Sequence, residues 1–125
     1  SNVEYMSYMF WGLTGLTDLN ISSFSTSNVN YMVGMFRYCN KLIDIDIKHF
    51  DTTNVVSMND MFRDCTGLTS VTMSGNVDKV SNCSNMFLNT KANGVFKYNC
   101  EHNYDKILGV LPSTWTSECI EETSV

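Results

Sequence analysis

The sequence from Phe50 to Val71 reads FDTTNVVSMNDMFRDCTGLTSV, and much of this phrase recurs along the chain with a 26-residue period. One period earlier in the chain, Phe24 corresponds to Phe50 and Ile45 corresponds to Val71. A constant period of roughly 20 to 50 residues is typical of proteins built from stacked structural units. The period is kept by Asn2, Asn28 and Asn54, by Met9, Met35 and Met61, and by Phe10, Phe36 and Phe62, with Phe87 following one position early.

Each repeat contains one segment with helical spacing and one with strand spacing. In the segment from Thr53 to Phe62, the large apolar residues stand three or four positions apart, which predicts a helix about two turns long. The segment from Leu68 to Met73 ends with apolar and polar residues in alternation, which predicts a strand with one buried face.

A single repeat has too few apolar side chains to fold alone. Each contributes roughly 1.5–3 kcal/mol when buried, whereas ordering the backbone costs roughly 1–2 kcal/mol per residue. Stacked repeats share their cores, so the sequence predicts an α/β solenoid: a right-handed coil with a short parallel sheet on one side and short helices on the other. We expect the methionines to fill this core. Columns of equivalent side chains are predicted for Phe10, Phe36, Phe62 and Phe87, for Phe24 and Phe50, and for Asn2, Asn28 and Asn54.

Composition excludes several classes of partner. The chain has 125 residues and a formal net charge of -5, so it lacks the basic footprint of a nucleic-acid-binding protein. No apolar run approaches the length of about 20 residues that a membrane span needs, so we expect no membrane insertion. We also find no sequence pattern of an enzyme, and no cofactor is predicted.

The quoted phrase resembles the 26-residue repeat of BspA-like bacterial surface proteins, which are relatives of leucine-rich-repeat proteins. The resemblance covers residues 1 to about 90, and the sequences from Val95 to Tyr98 and from Leu111 to Thr116 resemble the closing segment of that family. It implies a leucine-rich-repeat-like coil, a location at the cell surface or outside the cell, and a role in adhesion or protein binding. It also implies that the chain has no known catalytic motif.

The end of a solenoid would leave its core and a strand edge open unless a cap covers them. We therefore divide the chain into about three and a half repeats over residues 1–90 and a capping segment over residues 91–125. We expect the first repeat to continue a longer array rather than to follow a cap of its own. We accordingly expect self-association through the end that contains Met6, Met9 and Phe10.

Five cysteines leave at least one unpaired within a single chain. Cys100 and Cys119 lie in the predicted cap and are the candidate disulfide. Cys39 and Cys65 occupy equivalent repeat positions, where we favour buried thiols, although a bond between neighbouring repeats is also conceivable. The cysteines and histidines do not have the close spacing of a zinc site, so no metal site is predicted.

The outward face of the predicted sheet is the candidate binding site. Neighbouring carboxylates on this face could hold calcium weakly or attract a basic partner, but we favour a solvated acidic face with Lys48 offsetting part of its charge. The candidate binding residues are Asp18, Asn20, Asp44, Asp46, Lys48, Ser70 and Thr72.

Three functions compete at this point. The first is a surface-displayed or secreted module that binds a protein or glycan on another cell or surface through the outward sheet face. The second is a structural spacer, such as a stalk or a phage or virion appendage, without binding activity of its own. The third is a hydrolase that uses Asp18, Asp44 and Asp46, which we disfavour because equivalent carboxylates lack the contrasting environments of an acid and a base.

Overall fold

The computed structural model describes residues 7–12 and 26–121. Its regular elements are short: strand β1 at Asp44–Asp46, strand β2 at Ser70–Thr72, strand β3 at Val95–Asn99, helix α1 at Asp105–Leu108 and strand β4 at Thr116–Ile120. The four strands form one parallel sheet in the order β1-β2-β3-β4. Predictions that fall on Asn2, Met6, Asp18, Asn20 and Phe24 lie outside the described residues.

Strand register follows the sequence repeat in the first two pairs, counting the 25-residue step that also separates Phe62 from Phe87, and departs from it in the third. Ser70 pairs with Asp44, its equivalent in the preceding repeat. Val95 then pairs with Ser70, and Thr116 pairs with Val95. Alternation of side chains along these strands points Ile45, Val71 and Phe96 into the core, where each is at most 3% exposed.

The phenylalanine column is confirmed. Phe36 lies between Phe10 and Phe62, with ring centroids 5.4 and 5.7 Å apart and planes within 8° of parallel. Phe87 continues the column at 5.5 Å from Phe62, with a tilt of 30°. Equivalent residues from successive repeats therefore lie against one another inside the molecule.

The prediction of helices along the methionine-phenylalanine segments is wrong. Backbone N–H groups of Met58, Asp60 and Phe62 donate to carbonyl groups of the following repeat, at 2.8–3.0 Å. These amides are therefore unavailable to the i−4 carbonyls of an α-helix. Asp60 and Asp64 also have positive φ angles, 61° and 63°, which interrupt any helix. The segment is a run of turns bonded to its neighbour, and its apolar spacing reflects burial between repeats.

Buried methionines and cysteines fill the space behind these turns. Met32, Met58 and Met61 have no measurable exposure, in agreement with their predicted role as core fillers. The Cys39 thiol donates to the carbonyl of Phe10 at 2.9 Å, and the Cys65 thiol bonds the carbonyl of Phe36 at the same distance. Each thiol thus bonds to the preceding repeat. This matches the favoured interpretation of these two residues as buried thiols.

One asparagine of the predicted amide column, Asn54, has its side-chain bonds described. Asn54 donates its side-chain amide to the carbonyl of Ser27 at 2.9 Å, and its side-chain oxygen accepts from Lys79 at 3.3 Å. The Asn54 amide therefore bonds to a turn of the preceding repeat, while the column of amides stays a prediction.

The C-terminal segment packs its large side chains against the last turns. Tyr104, Ile107 and Trp115 are 1%, 1% and 6% exposed. A disulfide between Cys100 and Cys119 joins the end of β3 to β4, with Cα atoms 4.8 Å apart. These contacts cover the core beyond Phe87, while the predicted boundary at residue 90 stays a prediction.

Candidate functional site

The outward sheet face presents two rows of side chains across the four strands. Strand register places Asp44, Ser70, Val95 and Thr116 in the first row, and Asp46, Thr72, Lys97 and Glu118 in the second. Strands lie about 4.8 Å apart, so each row brings one residue from each strand within reach of a single ligand. Of the predicted site residues, Asp44, Asp46, Ser70 and Thr72 are brought together here.

Sequence reasoning missed the part of this face that comes from the last two strands. Lys97 and Glu118 complete the second row and give it alternating charges. The repeat holds as far as β3, which begins 25 residues after β2, but it fails at β4, which begins only 21 residues after β3. The 25-residue step from Phe62 to Phe87 was the available signal for Lys97, which follows Thr72 by the same step, whereas no sequence pattern places Glu118.

The predicted residues differ in accessibility. Asp44, Asp46 and Lys48 are exposed, Ser70 is partly exposed, and Thr72 is only 9% exposed. Thr72 lies between longer side chains in its row. It therefore contributes little to a contact surface, contrary to its prediction as a binding residue.

Asp46 is engaged locally by Lys48. The Asp46 side chain accepts from the backbone N–H of Lys48 at 3.1 Å, and the Lys48 ammonium group lies 3.6 Å from its carboxylate. Both side chains are more than 40% exposed, so the ion pair contributes little to stability. Lys48 offsets the Asp46 charge, as predicted, while the predicted neighbour Asp18 lies outside the described residues.

A second surface lies where the turns of successive repeats stack, and the sequence prediction overlooked it. We call it the turn surface. Corresponding positions of neighbouring repeats form its columns, which are Tyr8, Gly34, Asp60 and Asn85; Trp11, Arg37, Arg63 and Leu88; and Gly12, Tyr38, Asp64 and Asn89. The signal that could have found it is the presence of large and charged groups at equivalent positions outside the apolar pattern.

Two arginines and two aspartates form a network in the middle of the turn surface. Arg37 lies 4.0 Å from the Asp60 carboxylate and 3.6 Å from the Asp64 carboxylate. Arg63 lies 3.4 and 3.7 Å from the same two groups. The four side chains are 15–30% exposed, so the network is partly shielded from water. Its positive and negative charges balance.

Exposed aromatic rings lie at one end of this network. Tyr8, Trp11 and Tyr38 are 52%, 49% and 39% exposed. The Trp11 and Tyr38 rings meet edge to face, with centroids 5.3 Å apart and planes at 84°. The Arg37 guanidinium lies 5.0 Å from the centre of the Tyr38 ring. Large exposed rings that cluster in this way are typical of contact surfaces.

The buried thiols of Cys65 and Cys83 are poorly suited to act as nucleophiles. Burial raises the pKa of Cys65 to about 12, and the neighbouring thiol of Cys39 adds to this rise. Burial also raises the pKa of Cys83, although nearby Lys106 acts in the opposite direction. A nucleophilic cysteine needs a lowered pKa and access to solvent, and Cys65 and Cys83 lack both.

A cleft of about 200 Å³ opens between the C-terminal segment and the last repeat, with Val77 in its wall. The Tyr104 hydroxyl at this cleft donates to the carbonyl of Gly75 at 2.6 Å. The Lys106 ammonium group donates to the carbonyl of Val80 at 3.2 Å. Both polar groups bond the C-terminal segment to the last repeat. We therefore interpret the cleft as a boundary between two packed segments.

Within residues 7–12 and 26–121, no group of three or more histidine, cysteine, aspartate or glutamate side chains is arranged to hold a metal ion. In the same part of the chain, no helix has the length and apolarity needed to cross a membrane.

Comparison with known proteins identifies a family. No curated protein and no solved structure matches the chain. One family model matches residues 1–100, which include the stacked turns, strands β1 to β3 and Cys100. The chain belongs to this family, which is described as Mycoplasma protein of unknown function, DUF285.

Proposed function

We propose that the chain is a binding module of a right-handed, leucine-rich-repeat-like solenoid, and that its outward sheet face recognises a protein or glycan partner. Backbone hydrogen bonds between the turns of neighbouring repeats support the solenoid, as does the column of stacked rings. The resemblance to BspA-like repeats supports display at a cell surface or secretion. The absence of an enzyme motif from the sequence is consistent with this role.

The observation that carries this proposal is the second row of the sheet face. Asp46, Lys97 and Glu118 come from three strands and alternate in charge across a single row. Such a row is complementary to a partner whose charges alternate in the opposite sense, which gives specificity more than affinity. Several repeats that engage one partner together would strengthen an individually weak contact.

The exposure of the carboxylates disfavours a hydrolase. Asp44 and Asp46 both lie in solvent. Neither carboxylate lies in a shielded, apolar cleft of the kind that houses the general acid of a hydrolase.

A structural spacer is the alternative function. The observation that favours it is the pairing of charges within the molecule, since Asp46 is engaged by Lys48 and the arginines of the turn surface are engaged by Asp60 and Asp64. A spacer would bind nothing on a glycan array or on cells.

Self-association through the first repeat belongs to the same proposal. Met9 is 44% exposed, while its equivalents Met35 and Met61 are fully buried. A second copy could cover this methionine. Sedimentation equilibrium of the wild type and of Met9→Ser tests this directly, because only the wild type should dimerise.

The double variant Asp44→Ala/Asp46→Ala tests the proposed binding face. We expect it to weaken binding to a cell-surface or glycan-array target of the wild type by about tenfold, because two charges that face the partner are removed. Its Tm should stay within about 2 °C of the wild type, because exposed substitutions usually change stability little. Unchanged binding would exclude this face, and an unfolded variant would show that the face is structural.

A further inference from the structure

We propose that Trp11 and Tyr38 form a stacking platform for a neutral saccharide on the turn surface, a contact that does not depend on the sheet face. The two rings are exposed, meet edge to face and lie with centroids 5.3 Å apart. The C–H groups of a pyranose ring carry partial positive charge and are attracted to the negative face of an aromatic ring. Tyr8, which is 52% exposed, lies in the same turn as Trp11 and extends the platform.

The backbone under Tyr38 supports a functional role for its ring. Tyr38 has a φ of 64°, in the left-handed region. Equivalent positions of other repeats have Gly12, Asp64 and Asn89, which are residue types that tolerate this conformation better. A bulky aromatic residue at this strained position stays 39% exposed and lies outside the core, so its ring is expected to serve a contact.

Charged neighbours hold the platform in place. The guanidinium of Arg37 lies 5.0 Å from the centre of the Tyr38 ring and is itself flanked by the carboxylates of Asp60 and Asp64. This arrangement restricts the Tyr38 ring before any ligand arrives, so binding loses little side-chain entropy. The third ring, Tyr8, packs over Gly34. A side-chain carbon added at Gly34 would collide with the Tyr8 ring.

Charge balance argues for a neutral saccharide and against a charged partner. The two arginines beside the platform are matched by two aspartates, while the whole chain has a net charge of -5. An anionic glycan would be repelled by the chain as a whole, and a cationic protein would have to compete with Arg37 and Arg63 for their carboxylates. A neutral sugar has no charge to desolvate, and its hydroxyl groups can use the amides of the Asn-rich chain.

The experiment uses the two tryptophans of the chain as reporters. Trp11 is 49% exposed and Trp115 is 6% exposed, so acrylamide should quench Trp11 strongly and Trp115 weakly. The protein is titrated with dextran and with galactomannan as neutral probes, and with heparin as the anionic control. We expect a neutral polymer to protect Trp11 from acrylamide and to slow the protein in an affinity gel, while heparin does neither.

Matched variants separate this platform from the rest of the surface. Tyr38→Asn keeps a residue type that the chain uses at this left-handed position, in Asn89, but removes the ring. We expect Tyr38→Asn and Trp11→Ala each to weaken retardation by the neutral polymer by about tenfold. Ile43→Ala removes an apolar side chain that is 60% exposed outside the turn surface and should change nothing. Retardation that Asp44→Ala/Asp46→Ala abolishes while Tyr38→Asn leaves it unchanged would assign the polymer to the sheet face, so the two proposals are distinguished by which pair of variants loses binding.

Three outcomes would overturn the proposal. The first is that neither neutral polymer protects Trp11. The second is retardation that Tyr38→Asn and Trp11→Ala leave unchanged, or that Ile43→Ala weakens equally. The third is protection of Trp11 by heparin or by a protein ligand alone, which would assign the rings to another class of partner.

Discussion

In the middle of the chain, Phe36 stacks on Phe62 with planes 6° apart, whereas at the C-terminal end Phe87 meets Phe96 at 76° and Trp115 at 52°. The first arrangement places identical residues from neighbouring repeats on one another. The second joins residues that are unrelated by the repeat. Repetition thus extends a core without limit, while ending it requires side chains of different shape that close over the last ring.

The cysteines differ between the two regions in the same way. Cys39 and Cys65 are buried thiols that bond to the carbonyl of the preceding repeat. Cys100 and Cys119 are exposed and covalently joined. Four of the five residues of strand β4 are exposed, so this strand buries little apolar surface. The disulfide therefore supplies attachment that side-chain packing does not. Each region can therefore be broken by a different change.

Removing a ring from the column should have the largest effect. Phe62→Ala deletes a fully buried side chain with ring neighbours on both sides, and we expect a loss of roughly 3–5 kcal/mol in the free energy of unfolding. Urea denaturation measures this loss. Leu88→Ala is the control, because Leu88 is 41% exposed and its removal should cost less than about 0.5 kcal/mol. A loss below about 1 kcal/mol for Phe62→Ala would remove this residue from the column.

Opening the disulfide should have the next largest effect. The bond joins cysteines 19 positions apart, and closing a loop of this size contributes about 3 kcal/mol by restricting the unfolded chain. Cys100→Ser/Cys119→Ser should lower the urea midpoint accordingly and speed hydrogen exchange in β4 first. Adding a dithiol reductant to the wild type should reproduce this result without affecting the double variant. Identical unfolding of oxidised and reduced protein would mean that β4 is held by its backbone bonds alone.

How far sequence analysis succeeds also differs between the two regions. Period and hydrophobicity correctly predict that Phe36 lies on Phe62, that Met58 is buried and that the Cys65 thiol is buried. They mispredict the backbone between these residues. An apolar spacing of three and four residues arises equally from a helix face and from turns whose amides bond to the next repeat.

The candidate sites show a corresponding limit. Asp44 and Ser70 could be placed on one row because they keep the repeat period. Lys97 could be placed beside Thr72 in the same way, because it follows Thr72 by the 25-residue step that also separates Phe87 from Phe62, but Glu118 could not, because β4 does not keep the repeat. Large and charged groups at equivalent repeat positions also marked the turn surface, but the apolar pattern alone did not show that Trp11 lies outside the core.

Packing at the C-terminal end can be tested at a single glycine. An added side-chain carbon at Gly94 would overlap the indole ring of Trp115, whose N–H group donates to the carbonyl of Lys91 at 2.8 Å. Gly94→Ala should therefore cost roughly 1–3 kcal/mol by forcing the indole away. Gly109→Ala is the matched control, since Gly109 has a φ of −67° and an added carbon would meet only ordinary contacts. Equal stabilities of the two variants would show that Trp115 is not tightly packed.

The smallest effect is expected at a turn between repeats. Hydrogen bonds from Thr53, including its backbone N–H at 3.0 Å, lower the pKa of Asp51 below its ordinary value. The folded protein therefore holds this carboxylate ionised more strongly than the unfolded chain. The resulting stability is fully present above the unfolded pKa of about 3.9 and is lost as the pH falls through the lower folded pKa. Stability should thus decline slightly on acidification in this range.

Asp51→Asn tests this pH dependence, because asparagine keeps an acceptor oxygen but does not titrate. Urea midpoints of the wild type and the variant should converge as the pH is lowered from about 5 to about 2, since protonation removes the advantage of the carboxylate. Thr53→Ala retains the backbone bond and loses the side-chain bond, so it should reduce the effect without abolishing it. A constant difference between wild type and Asp51→Asn across this range would mean that Asp51 ionises alike in the folded and unfolded chains. The stability of this turn would then rest on its backbone bond to Thr26, whose side-chain oxygen accepts from the Asp51 N–H at 2.7 Å.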